Sequence, residues 1–322
     1  MKIAFFWTWD FSKSILSWIL KRKEVEVTLV VSQPDKPVWR KKEIIATPVK
    51  QLAIDENIKV SQPNKLRDND EFFNELKNLE LDYIIVVAYW KIVPNEVLDA
   101  PKNWCINIHW SILPKYRWAS PIQESIKNWD TKTWLTIMYM SEWMDEWDIL
   151  KIEEIEIDIL DKTLDIFQKF QNNWTDLVIN TLLDLEKWLI KPIKQNEDEA
   201  TYCSKISKSD WEVDFKLSSA KEIYDKYRSY SPWPWIYSYY NDKKISFEEC
   251  FFNDIDLTTD SDFSIWDVVE IENEHWEKNK EIWVISKNWM LILKQVKLEW
   301  KKTMDINTFI NWNKEFLDYS FN

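Results

Sequence analysis

Asn107 and His109 stand two residues apart in the stretch Asn103–Ser120, NWCINIHWSILPKYRWAS, at the end of a short apolar run. In a strand, residues at that spacing point to one face. An amide and an imidazole would therefore sit side by side where the strand gives way to a polar, proline-containing loop. A histidine can exchange protons near neutral pH, and an asparagine amide can donate to a developing oxyanion. In open α/β sheets the carboxyl ends of strands are where ligands bind. The plainer reading of His109 is a satisfied buried histidine. Asp145, in SEWMDEWD, falls between two predicted strands. It and Asp148 are candidates for orienting a histidine or a water, against the plainer reading of solvated loop acids. The other histidine, His275, sits in a predicted hairpin turn and reads as surface. Cys105, Cys203 and Cys250 are scattered, show no metal-ligand spacing or disulfide framework, and read as buried small apolar residues.

The elements that must position these residues follow from hydrophobic pattern. Lys2–Phe6 reads as an apolar strand, 11–22 as an amphipathic helix and 24–32 as a second strand, a βαβ start. The turn after the first strand, WTWD, would lack the third glycine of a dinucleotide fingerprint even with glycine in place of both tryptophans, so it reads first as a tight turn, with anion binding as the alternative. Gln33–Lys50, with three prolines, reads as a long loop. Over residues 36–50, Lys36, Arg40, Lys41, Lys42 and Lys50 stand against one acid, Glu43, and the stretch is either a solvated loop or a phosphate-contacting arm. A continuous apolar run at 82–88 predicts a strand buried on both faces. Further strands are expected at 58–60, 105–109, 135–140 and 149–157, with helices at 48–57, 70–76, 121–128 and 164–188. The polar segment 191–204 reads as a linker between a domain at 1–190 and one at 205–322. In the latter, a helix at 220–229 precedes five short, regularly spaced strands, which suggests a small β-barrel, and a short helix at 305–311.

Composition sets the bounds. The chain has 322 residues, enough for two cores. No apolar run approaches the length of a transmembrane helix, and the start MKIAFFW lacks a signal-peptide layout, so a reducing cytoplasm is expected. A net charge of −13 argues against nonspecific nucleic-acid binding and leaves room for a local basic patch. One feature is abnormal. Glycine is absent and tryptophan numbers 23, where glycine is usually about 7%. Trp7 and Trp9 follow the first strand, Trp104 precedes one, and Trp289 and Trp300 fall in turn-like contexts. An indole does not readily take the positive-φ conformations that glycine supplies. Nearly every tryptophan is therefore read as a glycine position, with Trp233 the one best kept as tryptophan. A UGA codon assigned to glycine but read out as tryptophan would produce this pattern, as would wholesale substitution.

With glycine in those places, residues 103–123 become NGCINIHGSILPKYRGASPIQ and 134–148 become GLTIMYMSEGMDEGD. Both resemble the two signatures of the folate-dependent formyltransferases. FFWTWDF, QPDKPVWRKKEIIATPVK, VVAYWKIVP, SYSPWPW and LEWKKTM are similar to further landmarks of the branch that acts on an initiator tRNA, so the likeness spans nearly the whole chain. The resemblance implies an α/β fold with a Rossmann-like, mostly parallel sheet and helices on both faces, plus a C-terminal OB-like β-barrel that binds tRNA. It implies formyl transfer from 10-formyltetrahydrofolate to the α-amine of methionyl initiator tRNA, by a monomer without a metal. Asn107, His109 and Asp145 fall on the catalytic trio. Val86, Ala88, Tyr89, Ile92, Ser111, Ile112, Leu113 and Pro114 would line the folate pocket, and Arg40, Lys41 and Lys42 would meet the tRNA. Trp110 and Trp118 flank the catalytic loop, where real indoles would block that pocket. A formyltransferase acting on a sugar nucleotide or glycinamide ribonucleotide, a formyl-folate hydrolase, and a non-catalytic RNA- or nucleotide-binding module are the alternatives.

Overall fold

The structure, a computed structural model, describes residues 1–7, 12–38, 43–89, 91–142, 144–253, 267–272, 280–286 and 290–321. The chain divides into two compact units. The first comprises Met1–Pro121, Lys132–Ile155 and Gln168–Cys203, and the second Ile122–Thr131, Glu156–Phe167 and Ser204–Asn322.

In chain order the elements begin with β1 (Lys2–Trp7), α1 (Ser12–Ile19), β2 (Glu26–Val31), β3 (Lys36–Val38), β4 (Glu43–Ile45), α2 (Pro48–Asp55), β5 (Lys59–Ser61), α3 (Asp70–Asn78) and β6 (Tyr83–Val87). Next come α4 (Asn95–Leu98), β7 (Trp104–His109), β8 (Arg117–Trp118), α5 (Pro121–Lys127), β9 (Lys132–Tyr139), β10 (Ile149–Glu156), α6 (Thr163–Glu186) and β11 (Tyr202–Cys203). Local chemistry sets several boundaries. Thr47 caps α2, with Pro48 in its first turn, and Asn69 caps α3 by accepting from the Phe72 amide.

Seven strands form the first sheet in the order β10-β9-β7-β6-β1-β2-β5. The pairs β1–β2, β1–β6, β2–β5 and β6–β7 are parallel, and β9 runs antiparallel to β7. The chain steps outward from β1 to β2 and β5, then returns to β6 on the other side of β1. That reversal is the kind of point at which open α/β sheets bind ligands. The central strands are apolar on both faces. Ala4 and Phe6 pack with Phe72, Phe73 and Leu76 of α3, while Trp7 on the opposite parity meets Trp174 of α6 with ring centroids 6.2 Å apart. Helices therefore cover both faces, which is why YIIVV of β6 shows no alternation.

One expectation needs correcting. Residues 33–50 are not one loop: β3 and β4 pair antiparallel, and α2 begins at Pro48. Three-residue strands, one carrying Pro37, are too short to reveal a period of two. The basic residues Arg40, Lys41 and Lys42, and also His275, lie outside the described residues.

The second unit holds α7 (Ala220–Tyr230), β12 (Ile236–Tyr240), β13 (Lys243–Asn253), β14 (Val268–Glu272), β15 (Lys280–Ile285), β16 (Met290–Leu298), β17 (Met304–Asp305) and α8 (Ile306–Trp312). Its strands form an antiparallel sheet, β12-β13-β16-β15-β14, with β17 against β16. Ser219 and Glu222 make a reciprocal capping box at the start of α7. The core is aromatic, with Phe215, Phe247, Phe309, Phe316 and Phe321 buried together. Cys105, Cys203 and Cys250 are all buried, and none of the three forms a disulfide. Among the described residues no helix is long and apolar enough to cross a membrane.

Candidate active site

β7 carries Asn107 and His109 to the carboxyl end of the parallel strands. Its register sets Asn107 beside Val86 of β6 and Met138 of β9, and His109 beside Thr136. The two side chains share a face, as the spacing predicted, and what they share is Asp145. The Asn107 amide donates to Asp145 Oδ1 at 3.2 Å. The backbone N–H of Trp118 donates to Asp145 Oδ2 at 2.9 Å. His109 Nδ1 lies 3.7 Å from the same Oδ2, with the imidazole 8% and the carboxylate 12% exposed. Three residues 38 positions or fewer apart in sequence thus meet in one partly buried corner.

His109 is held at its other edge as well. Nε2 is 2.8 Å from the carbonyl oxygen of Tyr116. A carbonyl can only accept, so Nε2 bears a hydrogen, and Nδ1 is the edge turned to the carboxylate. An imidazole between a carbonyl and a carboxylate, with an amide donor alongside, has the components of acyl transfer: a proton carrier, an orienting anion and an oxyanion donor.

The backbone around this corner is strained. Ala88, Tyr116, Trp118, Ser120 and Asp145 all have positive φ, at 44°, 60°, 77°, 61° and 62°. Such conformations cost non-glycine residues free energy and gather at functional sites. Asp tolerates the left-handed region; a tryptophan does so poorly.

The residues expected to line a pocket divide by burial. Val86, Ser111 and Leu113 are buried; Leu113 packs with Met138 and Ile149. Ser111 Oγ donates to the Lys115 carbonyl and Thr136 Oγ1 donates to the Ser111 carbonyl, each at 2.6 Å, which fixes the start of the loop. Ala88, Tyr89, Ile112 and Pro114 are half-buried, and Ile92 is exposed. The Tyr89 hydroxyl is buried without a hydrogen-bond partner, and burial pushes its pKa up to about 12. An unpartnered polar group of this kind is suited to meet a ligand. At the ends of β1 and β7 the rings of Trp7 and Trp110 approach to 6.2 Å, and Trp110 stacks on Phe170 of α6 at 6.0 Å. Asp148, the other acidic candidate, gives its carbonyl to the Tyr139 amide and continues the loop into β10.

Arg117 and Gln195 belong to this site, though the sequence signals neither role. The Arg117 guanidinium is fully buried. It donates to both carboxylate oxygens of Glu197 at 2.8 Å and to Gln195 Oε1 at 2.9 and 3.2 Å. The Glu197 hydrogen bonds hold the Arg117 pKa above its ordinary value.

A mostly parallel sheet ending in this amide, imidazole and carboxylate defines a class of group-transfer enzymes, and the matches place the chain within it. Residues 1–182 match the formyl transferase family and residues 205–314 match the formyl transferase C-terminal domain; the chain belongs to this family. It is 36% identical over 322 residues to the methionyl-tRNA formyltransferase of Caldicellulosiruptor saccharolyticus, covering 98% of this chain and 97% of that one. It is 43% identical over 238 residues to the methionyl-tRNA formyltransferase of Sulfurimonas denitrificans, covering 74% and 76% of the two chains. Among solved structures, the N-formyltransferase from Helicobacter canadensis, in complex with folinic acid and dTDP-3-aminofucose, shares the fold. Its TM-score is 0.63 at 18% identity, over 91% of this chain and 98% of that one.

Proposed function

We propose that this chain transfers the formyl group of 10-formyltetrahydrofolate to the α-amine of methionyl initiator tRNA, for the initiation of translation. The observation that carries the reading is the convergence of Asn107, His109 and the Trp118 amide on the Asp145 carboxylate. The near full-length identity to a methionyl-tRNA formyltransferase supports the choice of acceptor.

In the reaction the amine nitrogen attacks the formyl carbon, and a C–N bond forms as the bond from that carbon to the folate nitrogen breaks. One proton passes from the amine to the departing nitrogen. Asn107 donates to the tetrahedral oxyanion. His109 polarises the carbonyl and carries the proton. Asp145 orients His109 and relays the amine proton through water. Val86, Ala88, Tyr89, Ile92, Ser111, Ile112, Leu113 and Pro114 form or back the folate site; the Tyr89 hydroxyl supplies an unspent hydrogen bond. Arg40, Lys41 and Lys42 contact the acceptor end of the tRNA. Residues 1–190 act as the catalytic domain, 191–204 as the connection and 205–322 as the tRNA-binding domain of a cytoplasmic monomer.

The test is an acceptor panel. The full chain, expressed with glycine at the tryptophan positions other than Trp233, is given 10-formyltetrahydrofolate and, in turn, methionyl initiator tRNA, an amino-sugar nucleotide and glycinamide ribonucleotide. Formylation of the tRNA above the others is expected. Preference for either small amine, or hydrolysis of the folate without transfer, overturns the assignment.

A further inference from the structure

The segment 193–203 is stitched to both catalytic loops. Ile193 exchanges two backbone hydrogen bonds with Ile149, each 2.8 Å, just after the aspartate loop. Thr201 takes the Arg117 amide on its carbonyl at 2.8 Å and the Tyr116 amide on its hydroxyl at 2.8 Å. β11 then pairs in parallel with β8, Tyr202 beside Arg117 and Cys203 beside Trp118. Gln195, 5% exposed, joins the two loops through its side chain. Its Nε2 donates to the carbonyls of Asp145 and Trp147 at 2.9 and 2.7 Å. Its Oε1 accepts from Arg117, the residue next to the amide that holds the Asp145 carboxylate. Both ends of the Gln195 amide are thus in use, one on each loop.

We infer that Gln195 is a positioning residue for Asp145, fixing the left-handed backbone from which the carboxylate reaches His109, and that the segment 193–203 is part of the active-site scaffold. An amide is required. Oε1 must accept from a guanidinium while Nε2 donates to two carbonyls, and no other neutral side chain of this length does both. The inference rests on the reading of Asp145 as part of the transfer site.

Gln195→Glu keeps an acceptor for Arg117 and turns an oxygen toward two carbonyls; Gln195→Ala removes both ends. Each is expected to lower kcat at least ~10-fold with KM for both substrates nearly unchanged, in line with the sensitivity of catalysis to small displacements. Each should also speed hydrogen exchange at the Trp118 amide. In an Asp145→Asn background neither should lower kcat further. A Gln195→Glu variant with parental kcat and parental exchange at Trp118 overturns the inference, as does a loss that adds in full to that of Asp145→Asn. If the parent chain transfers no formyl group, the functional reading fails on its own, and the Trp118 exchange still decides whether Gln195 braces the loops.

A separate observation carries a second inference. Trp118, Trp129, Trp188, Trp235 and Trp300 all sit at positive φ, between 56° and 77°. Trp129 and Trp188 occupy the position after a helix where the paired hydrogen bonds of a Schellman ending form: Trp129 to Ile126 with Asp130 to Ser125, and Trp188 to Leu185 with Leu189 to Asp184. Trp300 is third in the turn closed by Lys301 to Leu298. These are glycine positions by backbone geometry. Trp188 and Trp300 are 92% and 94% exposed, so no packing accounts for them. Trp7 and Trp174 bury indole N–H groups without partners, at a cost. Trp7 and Trp104 take ordinary strand backbone, so for them the argument is burial and position rather than φ. The geometry points to glycine at these sites in the polypeptide the cell makes. Glycine at 7 and 110 would remove two rings from the strand ends where ligands bind. The protein isolated from its own cells should have an intact mass well below 39.3 kDa, and Trp188→Gly with Trp300→Gly should raise Tm. A native mass of 39.3 kDa, or a lowered Tm, overturns it.

Discussion

Among the described residues each unit buries one arginine, and the two are used differently. Arg228 of the second unit pairs with Asp225 three residues earlier in the same helix and donates to the carbonyls of Asp158 and Asp161. Arg117 of the first unit is bound to Gln195 and Glu197, 78 and 80 residues away, in a segment that also holds the aspartate loop. The Arg228 pair forms within α7 and ties that helix to two nearby carbonyls. The Arg117 pair exists only once two distant loops and the segment 193–203 have come together, and one of those loops carries Asp145. On the proposed reading, a buried arginine serves stability in one place and the geometry of a reaction in the other.

The largest losses are expected at the trio itself. His109→Ala and Asp145→Asn should each cut formyl transfer by about 10²–10⁴-fold, the range for loss of acid–base catalysis, with little change in Tm. Parental transfer by either variant would remove the chemistry from this corner. Asn107→Ala should cost about 10²–10³-fold in kcat as a lost oxyanion donor; an effect confined to KM would contradict that role. The two arginines come next. Arg228→Met leaves Asp225, which burial already holds above its ordinary pKa, with only the longer contact to Lys221 at 3.4 Å, and should destabilise the chain by about 3–5 kcal/mol. Arg117→Met leaves Glu197 60% exposed and solvated, so its loss should register in kcat more than in denaturant midpoint. Equal stability losses from the two would erase the distinction. The smallest effect is in acid. Asp210 accepts from the Ser207 backbone N–H, which holds its carboxyl below the ordinary value. A depressed carboxyl contributes stability that is present above its unfolded pKa of about 4 and lost as pH falls through the folded value. Asp210→Asn should flatten the acid limb of a stability–pH curve.

Local signals made much of this legible. The βαβ start, the doubly buried strand β6 and the strand end bearing Asn107 and His109 all follow from patterns within a few residues. Asp145 was visible as an acid in a tight loop between strands, and the signature resemblance placed it with the histidine. The roles of Arg117 and Gln195 were not visible, because a contact across 78 residues leaves no periodicity in either segment. The stretch 191–204 reads as a polar linker, and its side-chain contacts are hidden there for the same reason: Gln195 and Glu197 look like solvated residues until the arginine they bind is in place. The tryptophans show the converse. Their excess was plain in composition, but which of them demand glycine became definite only through φ at 118, 129, 188, 235 and 300.

The corner formed by Asn107, His109 and Asp145 is proposed to move a formyl group to a tRNA-borne amine. Single-turnover transfer from 10-formyltetrahydrofolate to methionyl initiator tRNA, measured for the glycine-bearing chain and its Asp145→Asn variant, tests it most directly. The account predicts efficient formylation by the parent and a loss of about 10²–10⁴-fold in the variant with tRNA binding unchanged. Equal rates from the two, or no transfer by a folded parent that binds both substrates, would contradict it.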